Sequence, residues 1–199
     1  MTDDLLDSRQ FFRLLHRRTK RSAERIDRTL RDRAEREVTV FVCDTSGFTR
    51  KTHEYGIAQF LSVMTRGYQS LAPILRKCHG LIVSQTADNL LAIFPDPTNA
   101  VRASIDIQRK LRRNNSGKHD ADQFHLSIGI EVGPTLVLKD NVYGAPVNVA
   151  SKVGEDLAGK GQILVTGGVA QVVRPKYRVA YDRSAQIGGR LFELYRIPY

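Results

Sequence analysis

The sequence predicts an α+β sandwich of the ferredoxin-like type, β-α-β-β-α-β, extended at its C-terminal end and preceded by an N-terminal helix. Three observations carry that expectation. From Val38 onward, short β-branched and apolar runs alternate with segments whose apolar residues recur every three or four positions. Two of the strand-like runs are separated only by the polar stretch 84–89, which reads as a hairpin in the middle of the order. The chain has 199 residues, enough for one well-buried domain plus an appendage.

The appendage is residues 1–36. Phe12, Leu15, Thr19, Ala23, Ile26, Leu30 and Ala34 recur at helical steps, and no Gly or Pro interrupts residues 9–36. One straight helix over that span would be about 42 Å long. Its apolar stripe is narrow and flanked by charge, which suits either a helix–helix seam for dimerisation or signal transduction, or a solvated basic helix lying on its own domain.

The domain proper is residues 37–199. Residues 38–43 read as a buried strand. Ile57, Phe60, Leu61, Met64, Tyr68, Leu71, Leu75 and Cys78 mark one face of a helix, with Pro73 as a bend. Residues 81–83 and 90–94 are short strands around a turn at Ala87, Asp88 and Asn89. Ala100, Ala103, Ile107 and Leu111 give the second helix, which ends in Asn114-Asn115-Ser116-Gly117. Residues 124–132 form a strand, and after Gly133-Pro134 residues 135–138 read as a further hairpin partner. A helix over 145–157, a strand at 162–165 and a terminal strand at 191–197 complete the order. Gly167-Gly168 and Gly188-Gly189 read as turns.

Charge and composition narrow the functions. The formal charge is +10, and residues 9–36 carry eleven Arg or Lys against four acids, so most of the excess sits in the appendage. No aromatic stacking residues or groove-reading motif accompany it, which argues against nucleic acid. No run approaches the roughly 20 apolar residues of a membrane span, and residues 1–4 are acidic where a signal peptide is basic, so a cytoplasmic protein is expected. Cys43 and Cys78 lack metal-ligand spacing and read as reduced thiols. His16, His53, His79, His119 and His125 form no i, i+3 or i, i+4 pair.

The chemistry concentrates in two segments. Phe41-Val42-Cys43-Asp44-Thr45-Ser46-Gly47-Phe48-Thr49 is a strand ending in a carboxylate, followed by small residues that open a helix. Such a junction holds a cation beside an anion, the carboxylate binding metal while backbone N–H groups face phosphate; alone it reads equally as a helix N-cap. Asp88 sits at the hairpin tip, and in a ferredoxin-like sheet the strand after that tip lies beside the first strand, so both carboxylates can face one point. Two carboxylates with phosphates and waters as the other ligands suit Mg²⁺ or Mn²⁺.

Residues 41–49 resemble the F-x-D-x-x-G-F-T signature of class III adenylate and guanylate cyclases, and Ala87-Asp88 with Ala92-Ile93-Phe94 resembles their G-D-x-x-x-A-x-F hairpin. Residues 128–133 and 143–152 are similar to the family's G-I-x-x-G and Y-G-x-x-V-N-x-A-x-R segments, and residues 161–166 and 193–195 fit as well. The resemblance runs over about 37–197 and implies a class III cyclase-type fold and a head-to-tail homodimer with shared sites. It implies metal at Asp44, Asp88 and the Thr45 carbonyl, with Mg²⁺, Mn²⁺ or Ca²⁺ as the ion. Thr45, Ser46, Gly47, Phe48 and Thr49 would wrap the nucleotide phosphates. A partner subunit would supply base-reading and transition-state groups, of which Asn148 is the one intact match.

The same resemblance exposes substitutions. Ser84 stands where a base-reading Lys is expected and Asn141 where an Asp or Thr is expected; both can still hydrogen-bond a base edge. Lys152 replaces a transition-state Arg, keeping charge but losing the fork, and Ile187 replaces a phosphate-contacting Lys. Ala87 replaces a turn glycine. Losing one transition-state donor costs about 10²–10³ in rate, so several losses bring turnover toward background while binding survives. Two function classes follow: a homodimeric nucleotide-responsive signalling module that binds ATP, rather than GTP, with metal, and an active divergent adenylate cyclase using Asn148 and Lys152. Residues 1–36 would face an unidentified signal or protein partner.

Overall fold

A computed structural model describes residues 5–86 and 88–199. Residues 1–4 and the turn residue Ala87 lie outside the described residues. The elements run α1 (Ser8–His16), α2 (Ala23–Ala34), β1 (Glu35–Thr45), α3 (Phe48–Tyr55), α4 (Ile57–Lys77), β2 (Leu81–Thr86), β3 (Asn89–Phe94) and α5 (Pro97–Asn115). Then come β4 (Leu126–Val137), β5 (Val142–Tyr143), α6 (Ala145–Ser151), a π-helical turn (Lys152–Leu157), β6 (Ile163–Thr166), α7 (Gly167–Val173), β7 (Ala180–Ile187) and β8 (Arg190–Arg196).

The described strands form one sheet in the order β2-β3-β1-β4-β6-β8-β7, with β5 added beside β4. The first four strands and helices α4 and α5 give the expected ferredoxin-like unit, and its strands pair antiparallel. The alternation of β1 explains the two layers. Phe41 and Cys43 pack with α4, α5 and α7 in the main core, while Val40 and Val42 face the opposite side with Ile93, Val137, Val142 and Ala150.

Three expectations are corrected. The helix expected over residues 9–36 is two helices. Between them the Thr19 N–H donates to Ser22 Oγ at 2.9 Å, and Ser22 Oγ donates to the Arg17 carbonyl at 2.9 Å. Polar side chains that bond their own backbone offer the chain an alternative to helix, which no Gly or Pro signals. The break lets Phe11 of α1 and Ile26, Leu30 and Ala34 of α2 bury against the same patch, with Leu6 and Leu138. A straight helix would carry one half off the domain. In the described chain the pair therefore lies on its own domain, with Phe12 half-exposed.

Residues 135–138 do not fold back on residues 124–132. β4 continues through Gly133-Pro134, pairing with β1 from Thr45↔Leu126 to Glu35↔Leu136. The hairpin partner is the short β5. Gly167-Gly168, expected as a turn, opens α7, and β7 pairs with β8 around Gly188-Gly189. Sequence reading missed β7 because its pattern is mostly exposed and polar. The expected helix over 145–157 is present, its second half as the π turn.

Candidate functional site

β1 ends at the carboxylate and the hairpin β2–β3 brings its tip to the same end of the sheet. The Asp88 carbonyl accepts from the Thr45 N–H at 3.1 Å, from Thr45 Oγ1 at 3.0 Å and from the Tyr68 hydroxyl. Thr45 Oγ1 and the Tyr68 hydroxyl lie 3.0 Å apart. Thr45 and Tyr68, from β1 and the inner face of α4, thus pin the main chain at Asp88. Tyr68 was legible only as a core aromatic; its role at the tip carries no sequence signal.

That anchoring leaves the Asp44 and Asp88 side chains neighbours. The Asp44 carboxyl is pushed up to about 6, first by burial and next by the negative charge of Asp88, with Glu155 of the π turn adding to the repulsion. Among the described residues neither aspartate makes an ion pair with a Lys or Arg. No group of three His, Cys, Asp or Glu side chains there makes a complete metal site. Two carboxylates with no cation between them fit Mg²⁺ or Mn²⁺ held jointly with phosphates and water, and fit poorly a closed all-protein cage.

Beyond Asp44 the chain turns through Ser46 and Gly47 into α3. Gly47 has φ 86°, the left-handed region where glycine is favoured, and no side chain caps the helix. The Ser46 N–H already donates to the His125 carbonyl at 3.0 Å. The N–H groups left to meet an anion are therefore those of Gly47, Phe48, Thr49 and Arg50, ahead of the first helical bond from Lys51 to Gly47. The Phe48 ring packs edge-to-face on Phe60 at 5.0 Å, so its side chain belongs to the core.

α3 is itself clamped from below. Lys51 is 2% exposed, and its ammonium donates to the Gln123 carbonyl at 2.7 Å and to the Asp120 carbonyl. Arg50 bridges Glu54 and Asp120, each at 2.7 Å. Burial, then Lys160 and Lys51, holds His125 down at about 4, so the ring is neutral. Neither Lys51 nor His125 stood out in the sequence, where a charged residue on a short helix reads as exposed.

The other expected site residues lie elsewhere. Ser84 is exposed on β2, the edge strand, next to a bulge. Asn141 lies in the β4–β5 connection, accepts from the Val142 N–H at 2.8 Å and donates to the Tyr143 hydroxyl at 3.0 Å. It lines a cavity of about 50 Å³ together with Val83, the residue before Ser84. Asn148 is exposed on α6, and Lys152 at the start of the π turn pairs with Asp156 at 2.7 Å. No hydrogen bond or ion pair among the described residues joins Ser84, Asn141, Asn148 or Lys152 to either aspartate.

The chain is similar in sequence and fold to known proteins. A family model described as the adenylate and guanylate cyclase catalytic domain matches residues 30–196. The serine/threonine-protein kinase pkn2 of Myxococcus xanthus is 27% identical over 132 residues, 66% of this chain and 16% of that protein. The chain spans less than a third of the curated relatives it matches. Among solved structures, an adenylate/guanylate cyclase/hydrolase from Silicibacter pomeroyi is 21% identical with a TM-score of 0.72, over 82% of this chain and 96% of that one. The adenylyl cyclase CyaB from P. aeruginosa gives 19% identity and a TM-score of 0.69, over 83% and 95%. At these identities the likeness is one of fold.

Proposed function

The chain belongs to the adenylate and guanylate cyclase catalytic domain family, and from that premise we propose that it binds ATP with a divalent metal at a site shared between two copies, cyclising it weakly or not at all. The observation that carries this reading is the approach of Asp44 and Asp88 at one sheet end, each without a cationic partner among the described residues.

Asp44 and Asp88 would hold the ion, with the Thr45 carbonyl beside them. A bound Mg²⁺ or Mn²⁺ would supply neutralisation of the triphosphate and polarisation of the attacking ribose hydroxyl. The open amides of Gly47, Phe48 and Thr49 orient the phosphates. Because Ser84, Asn141, Asn148 and Lys152 make no hydrogen bond or ion pair with Asp44 or Asp88 among the described residues, a second copy in head-to-tail orientation is what would complete the site. Ser84 and Asn141 would then read the base edge, and Asn148 and Lys152 would face the reacting phosphate. The module would report nucleotide state as part of a signalling protein.

The second reading is an active adenylate cyclase. It is favoured by Asn148 and by the positive charge kept at Lys152. Incubating the purified chain with ATP or GTP and Mn²⁺, while measuring bound ligand and cyclic product in parallel, separates the two. Binding without product supports the module; turnover at an ordinary enzymatic rate rejects it. ATP should raise the melting temperature only when Mg²⁺, Mn²⁺ or Ca²⁺ is present, and Asp44→Ala or Asp88→Ala should abolish that shift. An unaltered metal-dependent shift in either variant would place the site elsewhere.

A further inference from the structure

Asp44 has a neighbour on each side in the sheet. Asn89 of β3 is its register partner on one flank and Ser127 of β4 on the other. Residues directly opposite in an antiparallel pair project to the same face, so Asn89, Asp44 and Ser127 form one polar row across three strands. Two residues inward the same face is apolar, with Val42 beside Leu91. The row marks where the hydrophobic layer stops.

Within that row the side-chain oxygen Oδ1 of Asn89 is buried and has no hydrogen-bond partner among the described residues. An orphaned acceptor carries an uncompensated desolvation penalty, so it calls for a partner. Thr86 of β2, its register partner on the other flank, makes no hydrogen bond to it. Asp44 offers further oxygen, Asp88 is the preceding residue, and Ser127 Oγ is directed at the Asp44 carbonyl at 3.4 Å. A buried amide oxygen left unbonded in register with a carboxylate is an arrangement that a hard divalent cation resolves.

We infer that Asn89 Oδ1 is a third side-chain oxygen donor to the divalent cation held by Asp44 and Asp88, a role that rests on the metal-binding reading above. The amide adds a ligand without adding a third negative charge beside two carboxylates that already repel. It also makes a mixed set of carboxylate and amide oxygens, which the flexible, oxygen-rich coordination of Ca²⁺ uses more readily than Mg²⁺ does.

Terbium, a luminescent stand-in for Ca²⁺, gives a direct test on the full chain. The chain has no tryptophan and seven tyrosines, and Tyr68 touches the Asp88 carbonyl, so tyrosine-sensitised Tb³⁺ emission reports this site. Tb³⁺ titration and its displacement by Mn²⁺, without nucleotide, are measured for the parent, Asn89→Leu, Asn89→Asp, Asp44→Asn and Asp88→Asn. Asn89→Leu should weaken both ions about tenfold. It should leave the metal-free melting temperature unchanged or higher, because it removes an orphaned polar atom. Asn89→Asp, which keeps an oxygen in place, should bind at least as tightly as the parent. Parent-like affinity in Asn89→Leu overturns the assignment, as does weakened binding in Asn89→Asp should the leucine variant not fold. If Asp44→Asn and Asp88→Asn also leave Tb³⁺ binding intact, the metal site itself is misplaced; if they abolish it while Asn89→Leu does not, only the role of Asn89 falls.

Discussion

Gly129 of β4 and Gly154 of the π turn cross so closely that neither position has room for a side chain. A Cβ on Gly129 would lie 2.8 Å from Gly154 Cα, and a Cβ on Gly154 would lie 2.9 Å from both Gly129 N and the Val42 carbonyl. Val42 is two residues before Asp44, so this crossing sets the height of the π turn over the end of β1. Gly129→Ala and Gly154→Ala should each destabilise the fold by about 1–3 kcal/mol or more, since the neighbours are backbone and cannot turn aside. Urea melts measure the effect. An unchanged midpoint in both would mean the turn can lift without cost.

Lys51 joins α3 to the loop that carries Asp120 and Gln123. Burial lowers the pKa of its ammonium, while Asp120 opposes that effect. Lys51→Met removes the costly buried charge yet leaves the Asp120 and Gln123 carbonyls without their donor. The expected net loss is about 1–3 kcal/mol, felt first as faster amide exchange across residues 118–124. Exchange at the parent rate would show that the clamp holds nothing.

The parts of the fold that could be read from the sequence were those where pattern and burial agree. The buried strand at residues 38–43, the helical face from Phe60 to Cys78 and the hairpin around Asp88 rest on local pattern, and the structure keeps them, although Ile57 and Leu61, expected on the same face, are exposed. The breaks between elements were harder. Thr19 and Ser22 end a helix through side-chain bonds that any polar segment could make, and Gly133-Pro134 looks like a turn although β1 carries the strand straight through it. At the candidate site, the approach of Asp44 to Asp88 was legible because the strand after the hairpin tip was expected beside the first strand, and the structure brings the two side chains together. Lys51, Asn89 and Tyr68 were not, because burial of Lys51, an orphaned oxygen on Asn89 and a hydroxyl contact from Tyr68 exist only after distant segments meet.

Acidification should act in opposite senses through two half-buried groups. Asp44, raised from 3.8 to about 6, binds its proton more tightly in the folded state. Its stabilising contribution is full below 3.8 and is lost as the pH rises through about 6. His125, lowered from 6.5 to about 4, resists a proton that the unfolded chain accepts, so the fold loses stability as pH falls from 6.5 to about 4. Asp44→Asn should therefore gain about 1–2 kcal/mol above about pH 6, allowing for partial solvent screening. His125→Gln should shrink the acid loss. Urea midpoints across that range measure both, and parallel pH profiles for parent and variants would contradict the assignments.

The helix pair α1–α2 offers a test of packing on its own domain. Leu30 is buried with Phe11, Ile26, Ala34 and Leu138, whereas Phe12 is 52% exposed. Leu30→Ala should cost about 2–5 kcal/mol and Phe12→Ser well under half of that. A Phe12→Ser variant with parent-like stability but a weakened dimer in sedimentation would restore the seam expected from the sequence. Equal costs for both changes would argue against the observed burial.

The choice between binding module and enzyme is decided by restoring groups the family uses. The combined variant Ser84→Lys, Asn141→Asp and Lys152→Arg should raise cyclic AMP formation above the parent. A Lys and an Asp would fix the adenine and with it the ribose hydroxyl, and an Arg fork would meet charge developing on the α-phosphate. The structure limits the expected gain. Asn141 already accepts from the Val142 N–H and donates to the Tyr143 hydroxyl; an Asp keeps the first bond and reverses the second. Lys152 is held by Asp156 at 2.7 Å, and an Arg there would favour the same carboxylate over a phosphate. Adding Asp156→Ala to the triple variant should therefore raise the rate further, because it frees the guanidinium. A parent already turning over ATP at an ordinary enzymatic rate would reject the module. A silent quadruple variant that still binds Mn²⁺ and ATP would move the deficit to Ile187, where an apolar side chain stands in place of a phosphate-binding cation.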